Sequence, residues 1–394
     1  MLDHTQIRKM SPMRHTIRHF IFTATIMLGW MNLPAQAYLT TNAQNLWPVM
    51  SQQFTIPANS NQTVVRNQVN RDLRDPHYIH MLTENARPYL FYVFQETQKL
   101  HLPAELALLP MIESDYIPYG GASRAGAVGL WQLMPDTADT YGVKMNSFYD
   151  GRRSTIVSTK VALTFLSYLY QEFGHNWLLA LAAYNAGPGT VLNAMRYNEE
   201  HGKSTNFWSL PLPAETKAYI PKLLALATII EHPRTYGVHL APVPNKPVTS
   251  TVTIKKEMPL KTIAHLAQTS VSTVKKLNPA LRQGITPPHQ TVALVLPANK
   301  KMVFVTGIKK QAAAKTKKIM AARKAASKKI MVTNAQRKPI IHHTPTTLTT
   351  HTIIVHRGDE LHILAERNHI TTRELMLKNH LRTDVLQPGQ RLIV

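Results

Sequence analysis

The hydrophobic pattern of this chain changes its period at a proline-rich segment, Ala241–Pro247. Before it, from Pro76 onwards, apolar residues recur at helical spacing, and Trp177–Ala183 is almost wholly apolar, as in a buried helix. After it, short β-branched runs such as His351–Val355 precede short helical patterns. The sequence therefore predicts a multidomain protein, with an all-α domain followed by small α+β units.

The C-terminal part contains an internal repeat. Residues 351–394 have the pattern strand, turn, two short helices and strand, and residues 251–297 follow the same order at similar spacing. The copies differ at a turn, where Gly358-Asp359 of the second copy corresponds to Glu257-Met258 of the first. We expect two βααβ modules, of which the first is degenerate in its ligand contacts.

The N-terminus has the pattern of a secretory signal. Basic residues precede an uncharged apolar run from Phe20 to Leu33, followed by Ala35-Gln36-Ala37. The run is shorter than the roughly 20 apolar residues that a membrane span requires, so cleavage after Ala37 is favoured over a retained anchor. The chain has no cysteine, which excludes disulfides and a lipid on an N-terminal cysteine. We expect an exported, periplasmic or envelope-associated protein without a lipid anchor.

The basic charge is concentrated in one segment. The formal net charge is +23, and residues 300–338 contain thirteen Lys or Arg and no Asp or Glu. This segment is interpreted as a solvated, disordered or transiently helical linker, or as a site of attraction to polyanions of the cell envelope. The charge alone would favour binding to nucleic acid, but an exported protein does not meet nucleic acid in the cytoplasm. No nucleic-acid partner is therefore expected. The histidines are scattered, and no metal site is predicted.

These patterns divide the chain into seven predicted segments. They are a signal peptide (1–37), an extended lead-in (38–75), an all-α domain (76–236), a proline-rich linker (237–250), a degenerate βααβ module (251–297), a basic Lys/Ala-rich linker (298–350) and a second βααβ module (351–394).

Glu113 is the strongest candidate for a catalytic acid. It ends an apolar helical pattern that begins at Pro103 and precedes a loop rich in small residues and the segment Gly129–Pro135. An acid that donates a proton near neutral pH needs a raised pKa, which apolar surroundings provide by disfavouring the charged form. Candidate walls around the carboxyl are Ile112, Tyr116, Trp131, Met134 and Tyr184.

Four motifs occur in a fixed order, although each alone is ordinary. A helix-terminal glutamate is usually solvated, and Tyr184-Asn185 and Glu215 with Tyr219 could be a core aromatic, a turn residue and a surface pair. Together, Glu113-Ser114, Gly129–Pro135, Ala183–Gly187 and Glu215–Tyr219 resemble the motifs of the family 1 lytic transglycosylases. That family has an all-α, goose-type-lysozyme-like SLT domain.

The resemblance extends beyond the helical domain. The two repeats resemble LysM peptidoglycan-binding modules, and the whole arrangement is similar to the membrane-bound lytic murein transglycosylase D group. It covers residues 76–236 and 351–394 well and residues 251–297 weakly. It implies a protein that acts on peptidoglycan glycan strands and needs no cofactor.

The resemblance also implies residue roles. Glu113 would be the only catalytic acid and then base, cutting the bond between N-acetylmuramic acid and N-acetylglucosamine with formation of a 1,6-anhydro ring. The positions that match substrate-binding residues are Ser123, Gln132, Met134, Tyr184, Asn185, Glu215 and Tyr219. The expected glycan-binding positions of the second module are Gly358, Asp359, Leu386 and Gln387.

Two alternative functions stay open at this point. The same fold could carry a lysozyme-type muramidase that hydrolyses the glycan, or the helical domain could be a non-catalytic scaffold that only binds peptidoglycan. The sequence does not decide between action within strands and action at strand ends, and it gives no oligomeric state.

Overall fold

The structure, a computed structural model, describes residues 44–57, 62–335 and 351–394. It comprises two compact units, one extending to Lys315 and the other starting at Thr316. The predicted signal peptide (1–37) and the end of the basic segment (336–350) lie outside the described residues.

Within its described residues, the N-terminal domain consists of helices joined by loops, with only isolated β-bridges besides. Its α-helices are α1 (Leu46–Ser51), α2 (Gln62–Asp72), α3 (Pro76–Ala86), α4 (Leu90–Lys99), α5 (Leu109–Ser114), α6 (Pro135–Thr140), α7 (Thr155–Glu172), α8 (Trp177–Ala186), α9 (Pro188–Glu200) and α10 (Ala214–Glu231). Short 3₁₀ turns occur at Ala104–Leu108, Gly151–Arg153 and Phe207–Ser209.

The helix boundaries follow local chemistry. Ser154 caps the start of α7, because its Oγ accepts a hydrogen bond from the Val157 amide at 3.4 Å. The Asn176 side chain caps α8 by accepting from the Leu178 and Leu179 amides. Helix α8 is buried on most sides and packs against α7, α9 and α10, which explains its almost continuous apolar sequence.

The N-terminal lead-in is helical and packed, so the prediction of an extended segment over 38–75 is wrong for its described part. Leu46, Trp47 and Met50 of α1 are buried in the main core, and α2 packs along α10. The segment is mostly polar, but it contains a few apolar residues at helical spacing. Burial of those residues outweighs the low helix propensity of their neighbours.

The proline-rich segment 237–250, predicted as a linker, packs as an extended strap on the helical domain. Ala241 and Val243 are fully buried. The indole Nε1 of Trp47 donates to the Ala241 carbonyl at 2.8 Å, and the Leu46 amide donates to the Val243 carbonyl at 2.7 Å. Its extended backbone cannot satisfy its own carbonyls, and α1 donates to these two, whereas the Ala241 amide donates to Thr83 Oγ1 of α3 at 2.9 Å.

Both repeats have the predicted βααβ order. The first consists of β1 (Thr249–Ile254), α11 (Leu260–Ala267), α12 (Val271–Leu277) and β2 (Val292–Pro297), with β1 antiparallel to β2 and Ile254 opposite Val292. The second consists of β3 (Thr352–Ile354), α14 (Leu361–Arg367), α15 (Thr372–Lys378) and β4 (Arg391–Ile393), with β3 antiparallel to β4.

An asparagine in the same position of each repeat confirms their equivalence. The Asn278 side chain donates to the Val295 carbonyl and accepts from the Val295 amide. Asn379 makes the same two hydrogen bonds with Ile393. Each asparagine therefore ties the end of the second helix to the closing strand.

The start of the basic segment is part of the first module. Helix α13 (Lys301–Ala335) follows β2, and Phe304 is fully buried in the apolar core of the module. Gly307 lies so close to α11 that a Cβ atom would be 3.0 Å from the Leu266 carbonyl oxygen. The prediction of a linker starting at residue 298 is therefore wrong for the first turns of α13. Among the described residues, no helix is both long and apolar enough to cross a membrane.

Candidate functional site

Three helices bring together the residues around Glu113. Glu113 lies at the end of α5, Tyr219 in the second turn of α10 and Tyr184 near the end of α8. The Tyr219 hydroxyl donates to Glu113 Oε1 at 2.5 Å. After Glu113 the chain turns sharply, since Asp115 and Tyr116 have φ angles of 49° and 61°.

Glu113 combines partial access to solvent with a strongly shifted pKa. The residue is half-buried, but protein atoms surround its carboxyl, and this burial raises its pKa to about 7. The hydrogen bond from Tyr219 lowers the pKa, the negative charge of Glu215 raises it, and the positive charge of Lys222 lowers it. Burial is the largest effect, so the carboxyl holds a proton over much of the neutral range.

The segment that follows the small-residue loop is fastened to both neighbouring helices. The Ser114 hydroxyl donates to the Leu130 carbonyl at 2.8 Å, and the Tyr184 hydroxyl donates to the Trp131 carbonyl at 2.8 Å. The Trp131 ring is fully buried, and its Nε1 donates to Thr159 Oγ1 of α7 at 2.9 Å. The backbone of this segment is therefore fixed beside Glu113.

Gly129 permits a close approach that no other residue would allow. Its φ angle is 80°, and a Cβ atom there would lie 2.2 Å from the Arg152 carbonyl oxygen. Gln132 also has a left-handed backbone, with φ 45°, and its side-chain Nε2 donates to the Gly129 carbonyl at 2.9 Å. These two residues bend the segment into a tight loop.

The structure brings some of the predicted site residues together and places others elsewhere. Tyr184, Glu215 and Tyr219 surround Glu113 closely enough for their charges or hydrogen bonds to be coupled to it. Asn185 follows Tyr184 and is half-buried, and Met134 is partly exposed at the start of α6.

Two predicted residues are engaged elsewhere. Ser123 lies on an exposed turn, where its hydroxyl accepts from the Ala127 amide at 3.0 Å. Tyr116, a candidate wall, is buried in the core, and its hydroxyl donates to the Ala107 carbonyl at 2.9 Å.

The sequence did not reveal the residues that hold the turn after Glu113 and the loop around Gly129 in place. The Tyr78 hydroxyl donates to the Asp115 carboxylate at 2.8 Å, and Asn85 Nδ2 donates to the Asp115 carbonyl at 3.0 Å, so α3 holds the turn after Glu113. Arg152 and Asp150 support the loop around Gly129. In the sequence, the only sign of this support was the pair of consecutive arginines before the cap of α7. The pair did not indicate which carbonyls the arginines bind.

The second module presents the predicted turn at its surface. Gly358 has φ 97°, and the Asp359 carboxylate accepts from the His356 amide at 2.7 Å, so Asp359 stabilises its own turn. Leu386 is partly buried against the core of the module, whereas Gln387 is exposed. The described residues contain no cluster of three or more His, Asp or Glu side chains that could hold a metal ion.

Three family models match successive parts of the chain. The transglycosylase SLT domain matches residues 91–207, the LysM-like domain of lytic transglycosylase MltD matches residues 248–312, and the LysM domain matches residues 353–394. These matches, on a helical domain followed by two βααβ modules, define the class as a lytic transglycosylase.

Curated relatives give the particular family. Membrane-bound lytic murein transglycosylase D of Escherichia coli K12 is 33% identical over 350 residues, which are 89% of this chain and 72% of the relative. The soluble lytic murein transglycosylase of Salmonella typhimurium is 37% identical over 116 residues, or 28% of this chain and 18% of that protein. This chain belongs to the membrane-bound lytic murein transglycosylase D family.

Solved structures of lytic transglycosylases also align with part of the chain. The lytic transglycosylase Slt of Pseudomonas aeruginosa is 24% identical, covering 37% of this chain and 24% of that one, with a TM-score of 0.29. The 70 kDa soluble lytic transglycosylase SLT70 of Escherichia coli is 23% identical, covering 45% and 32%, with the same TM-score of 0.29.

Proposed function

We propose that this protein cleaves peptidoglycan without water, with Glu113 as both the acid and the base. The observation that carries the proposal is a carboxyl that protein atoms surround, with a pKa raised by this burial to about 7 and a hydrogen bond from Tyr219 at 2.5 Å. A group with this pKa can give up a proton and take one back at neutral pH. Glu215, the nearby carboxylate, is exposed and acts on Glu113 through its charge.

The proposed reaction returns the proton to Glu113. The protonated carboxyl donates to the glycosidic oxygen between N-acetylmuramic acid and N-acetylglucosamine, and the bond from that oxygen to C1 breaks with assistance from the N-acetyl group of the substrate. The Glu113 carboxylate then removes the proton of the C6 hydroxyl, whose oxygen bonds to C1 and closes the 1,6-anhydro ring. A second carboxylate that activates water is not needed, in contrast to an inverting glycosidase.

The geometry around Glu113 supports two of the proposed substrate-binding roles, those of Tyr219 and Glu215. Tyr219 orients the carboxyl, and Glu215 lies on the exposed side of the same helix, where it can reach a bound glycan. The remaining proposed sugar contacts are Ser123, Gln132, Met134, Tyr184 and Asn185. Of these, Tyr184 and Gln132 have hydrogen bonds that fix the neighbouring loop, so they support its backbone in addition to any contact with sugar.

The product distinguishes this proposal from a lysozyme-type hydrolase. We expect digestion of purified sacculi to give muropeptides with 1,6-anhydro-muramic ends, each lighter by one water molecule than its hydrolysed counterpart. Mass spectrometry of the released muropeptides measures this directly. Reducing muramic ends as the main product would show that water attacks and would overturn the transglycosylase mechanism.

The pH dependence should follow the protonation of Glu113. The acid must be protonated in the free enzyme, so kcat/KM should fall as the pH rises through about 7. Tyr219→Phe removes a hydrogen bond that lowers the pKa of Glu113, so the alkaline limb should move to higher pH. Glu215→Gln removes a negative charge that raises this pKa, so the limb should move to lower pH.

Measuring the pH profiles of the two variants in parallel makes each the control of the other. Loss of substrate contacts or of stability would lower the rate of either variant, but it would not move the two alkaline limbs of kcat/KM in opposite directions. Limbs that move in the same direction, or that stay where they are in the wild type, would contradict the role of Glu113 as the titrating acid.

The second module (351–394) and the basic helix α13 are proposed to hold the enzyme on the wall. In residues 351–394 the glycan would bind the groove between Gly358-Asp359 and Leu386-Gln387. The exposed lysines of α13, such as Lys309 and Lys315, would attract polyanionic groups of the envelope surface. We also propose export through the segment 1–37 and a periplasmic, envelope-associated location, in keeping with the relative that is named membrane-bound.

A further inference from the structure

One side chain holds both ends of the loop that lies beside Glu113. Arg152 Nη1 donates to the Gly126 carbonyl at 2.8 Å and, more weakly, to the Leu133 carbonyl at 3.5 Å. Val128 and Leu133 pair as an isolated antiparallel bridge, which brings the two ends of the loop together. Arg152 therefore closes the base of the 126–133 loop, which contains Gly129, Leu130 and Trp131.

A buried carboxylate fixes the direction of this arginine. Arg152 Nε donates to Asp150 Oδ1 at 3.0 Å, and Nη2 donates to Asp150 Oδ2 at 2.9 Å. The Asp150 and Arg152 side chains are only 8% and 12% exposed. A two-point contact between a guanidinium and a carboxylate sets the plane of the guanidinium, so Nη1 is left pointing at the loop carbonyls.

The first LysM-like module holds the segment that carries Asp150. The Asp150 amide donates to the Ala280 carbonyl at 3.0 Å, and the Arg282 amide donates to the Phe148 carbonyl at 2.9 Å. Tyr149 pairs with Leu281 in a β-bridge, and its ring belongs to the apolar core of the module. Residues 148–150 are thus paired with the module like an added strand.

In the first module, the surface that corresponds to the proposed glycan groove of residues 351–394 is closed by loops of the module itself. The Thr286 amide donates to the Met258 carbonyl at 3.0 Å, and the Leu260 amide donates to the Gly284 carbonyl at 2.9 Å, which joins the two loops that would border a groove. Thr286 is fully buried. Within residues 351–394, the turn at 356–360 makes no such backbone hydrogen bond to residues 381–388.

We propose that Arg152 is a positioning residue of the active-site loop, and that the first LysM-like module is its anchor, acting through Asp150, in place of a glycan-binding role. The chain of contacts runs from Ala280 and Arg282 to residues 148–150, then to Arg152 and to the carbonyls of Gly126 and Leu133. The proposal rests on the proposed role of Glu113 in the same cleft.

Arg152→Lys tests the bridge to the two carbonyls. A lysine keeps the charge beside Asp150, so the buried pair is not broken, but it lacks the fork that reaches the loop. We expect hydrogen exchange of amides in residues 126–134 to accelerate and kcat on soluble glycan strands to fall about tenfold or more, with little change in KM. Water admitted beside Glu113 should also move the alkaline limb of kcat/KM to lower pH.

Arg282→Pro and Arg282→Ala form a matched pair that tests the anchor. Arg282 is exposed, and only the proline variant loses the amide that donates to Phe148. Arg282→Pro should accelerate exchange in residues 126–134 and in residues 146–151, whereas Arg282→Ala should exchange like the wild type.

The outcomes separate this proposal from the proposed reaction. Amide exchange does not depend on the chemistry at Glu113. If residues 126–134 exchange faster in the two variants but the wild type gives hydrolysed products, the anchoring role stands and the anhydro mechanism is rejected. Wild-type exchange in residues 126–134 in both Arg152→Lys and Arg282→Pro would overturn the proposal. Lower activity of Arg152→Lys with an unshifted pH limb and wild-type loop exchange would also overturn it.

Discussion

Glu113→Gln should lower the release of muropeptides from sacculi by about 10²–10⁴-fold, the usual contribution of general acid–base catalysis. Glutamine has nearly the same volume, and its amide oxygen can still accept the hydrogen bond that Tyr219 donates to Glu113 Oε1 at 2.5 Å. It cannot give a proton to the glycosidic oxygen or remove one from the C6 hydroxyl. The loss should therefore appear in kcat, while the fold and the affinity for peptidoglycan are retained.

Glu105→Gln is the matched control. Glu105 is a second buried carboxyl whose pKa burial raises to about 7, and it lies only eight positions before Glu113. Its Oε1 accepts from the Ile56 amide at 2.6 Å, so it fastens the N-terminal segment and does not belong to the cleft. We expect Glu105→Gln to keep the wild-type rate within about twofold, because an amide oxygen can accept the same hydrogen bond.

Two outcomes would change the assignment. Wild-type muropeptide release by Glu113→Gln would show that another group supplies the proton. Absence of release by both the wild type and the variant, with unchanged sedimentation on sacculi, would favour the non-catalytic scaffold. Circular dichroism of the variant excludes unfolding as the cause of lost activity.

The sequence was sufficient for features that depend on local pattern. The almost continuous apolar run of α8 follows from residues within a few turns. The strand, helix, helix, strand order of both repeats follows from β-branched runs and turn residues. The pairing of Glu113 with Tyr219 was accessible only through the order of motifs, since the two residues are 106 positions apart.

Contacts between distant backbone groups were not accessible from the sequence. Trp47 donates to the Ala241 carbonyl across 194 positions, and Arg152 reaches the Gly126 carbonyl across 26. A carbonyl acceptor is present at every residue, so no side-chain pattern identifies which carbonyl an arginine or indole will bind. The packing of α1 and of the strap 237–250 was missed for this reason.

Gly129→Ala should destabilise the helical domain by about 2–5 kcal/mol and remove most of the activity, because it combines two costs. A residue with a side chain pays about 1–2 kcal/mol for the left-handed backbone that Gly129 adopts at φ 80°. The new Cβ would also lie 2.2 Å from the Arg152 carbonyl oxygen, a backbone atom that cannot move aside like the end of a flexible side chain. Relief requires a shift of the loop or of residues 152–153, with a further cost of about 1–3 kcal/mol.

Gly142→Ala separates the two costs. Gly142 also has a left-handed backbone, with φ 66°, but no atom lies within 4 Å of the position that a Cβ would take. It should therefore lose only the backbone contribution of about 1–2 kcal/mol and keep its activity. Urea unfolding followed by tryptophan fluorescence measures both variants, because Trp131 is buried beside the Gly129 loop. Equal destabilisation of the two variants would show that the loop is not held against Arg152. If Gly129→Ala instead loses more unfolding free energy than Gly142→Ala and also shifts the alkaline limb assigned to Glu113, this contact sets the geometry of the cleft.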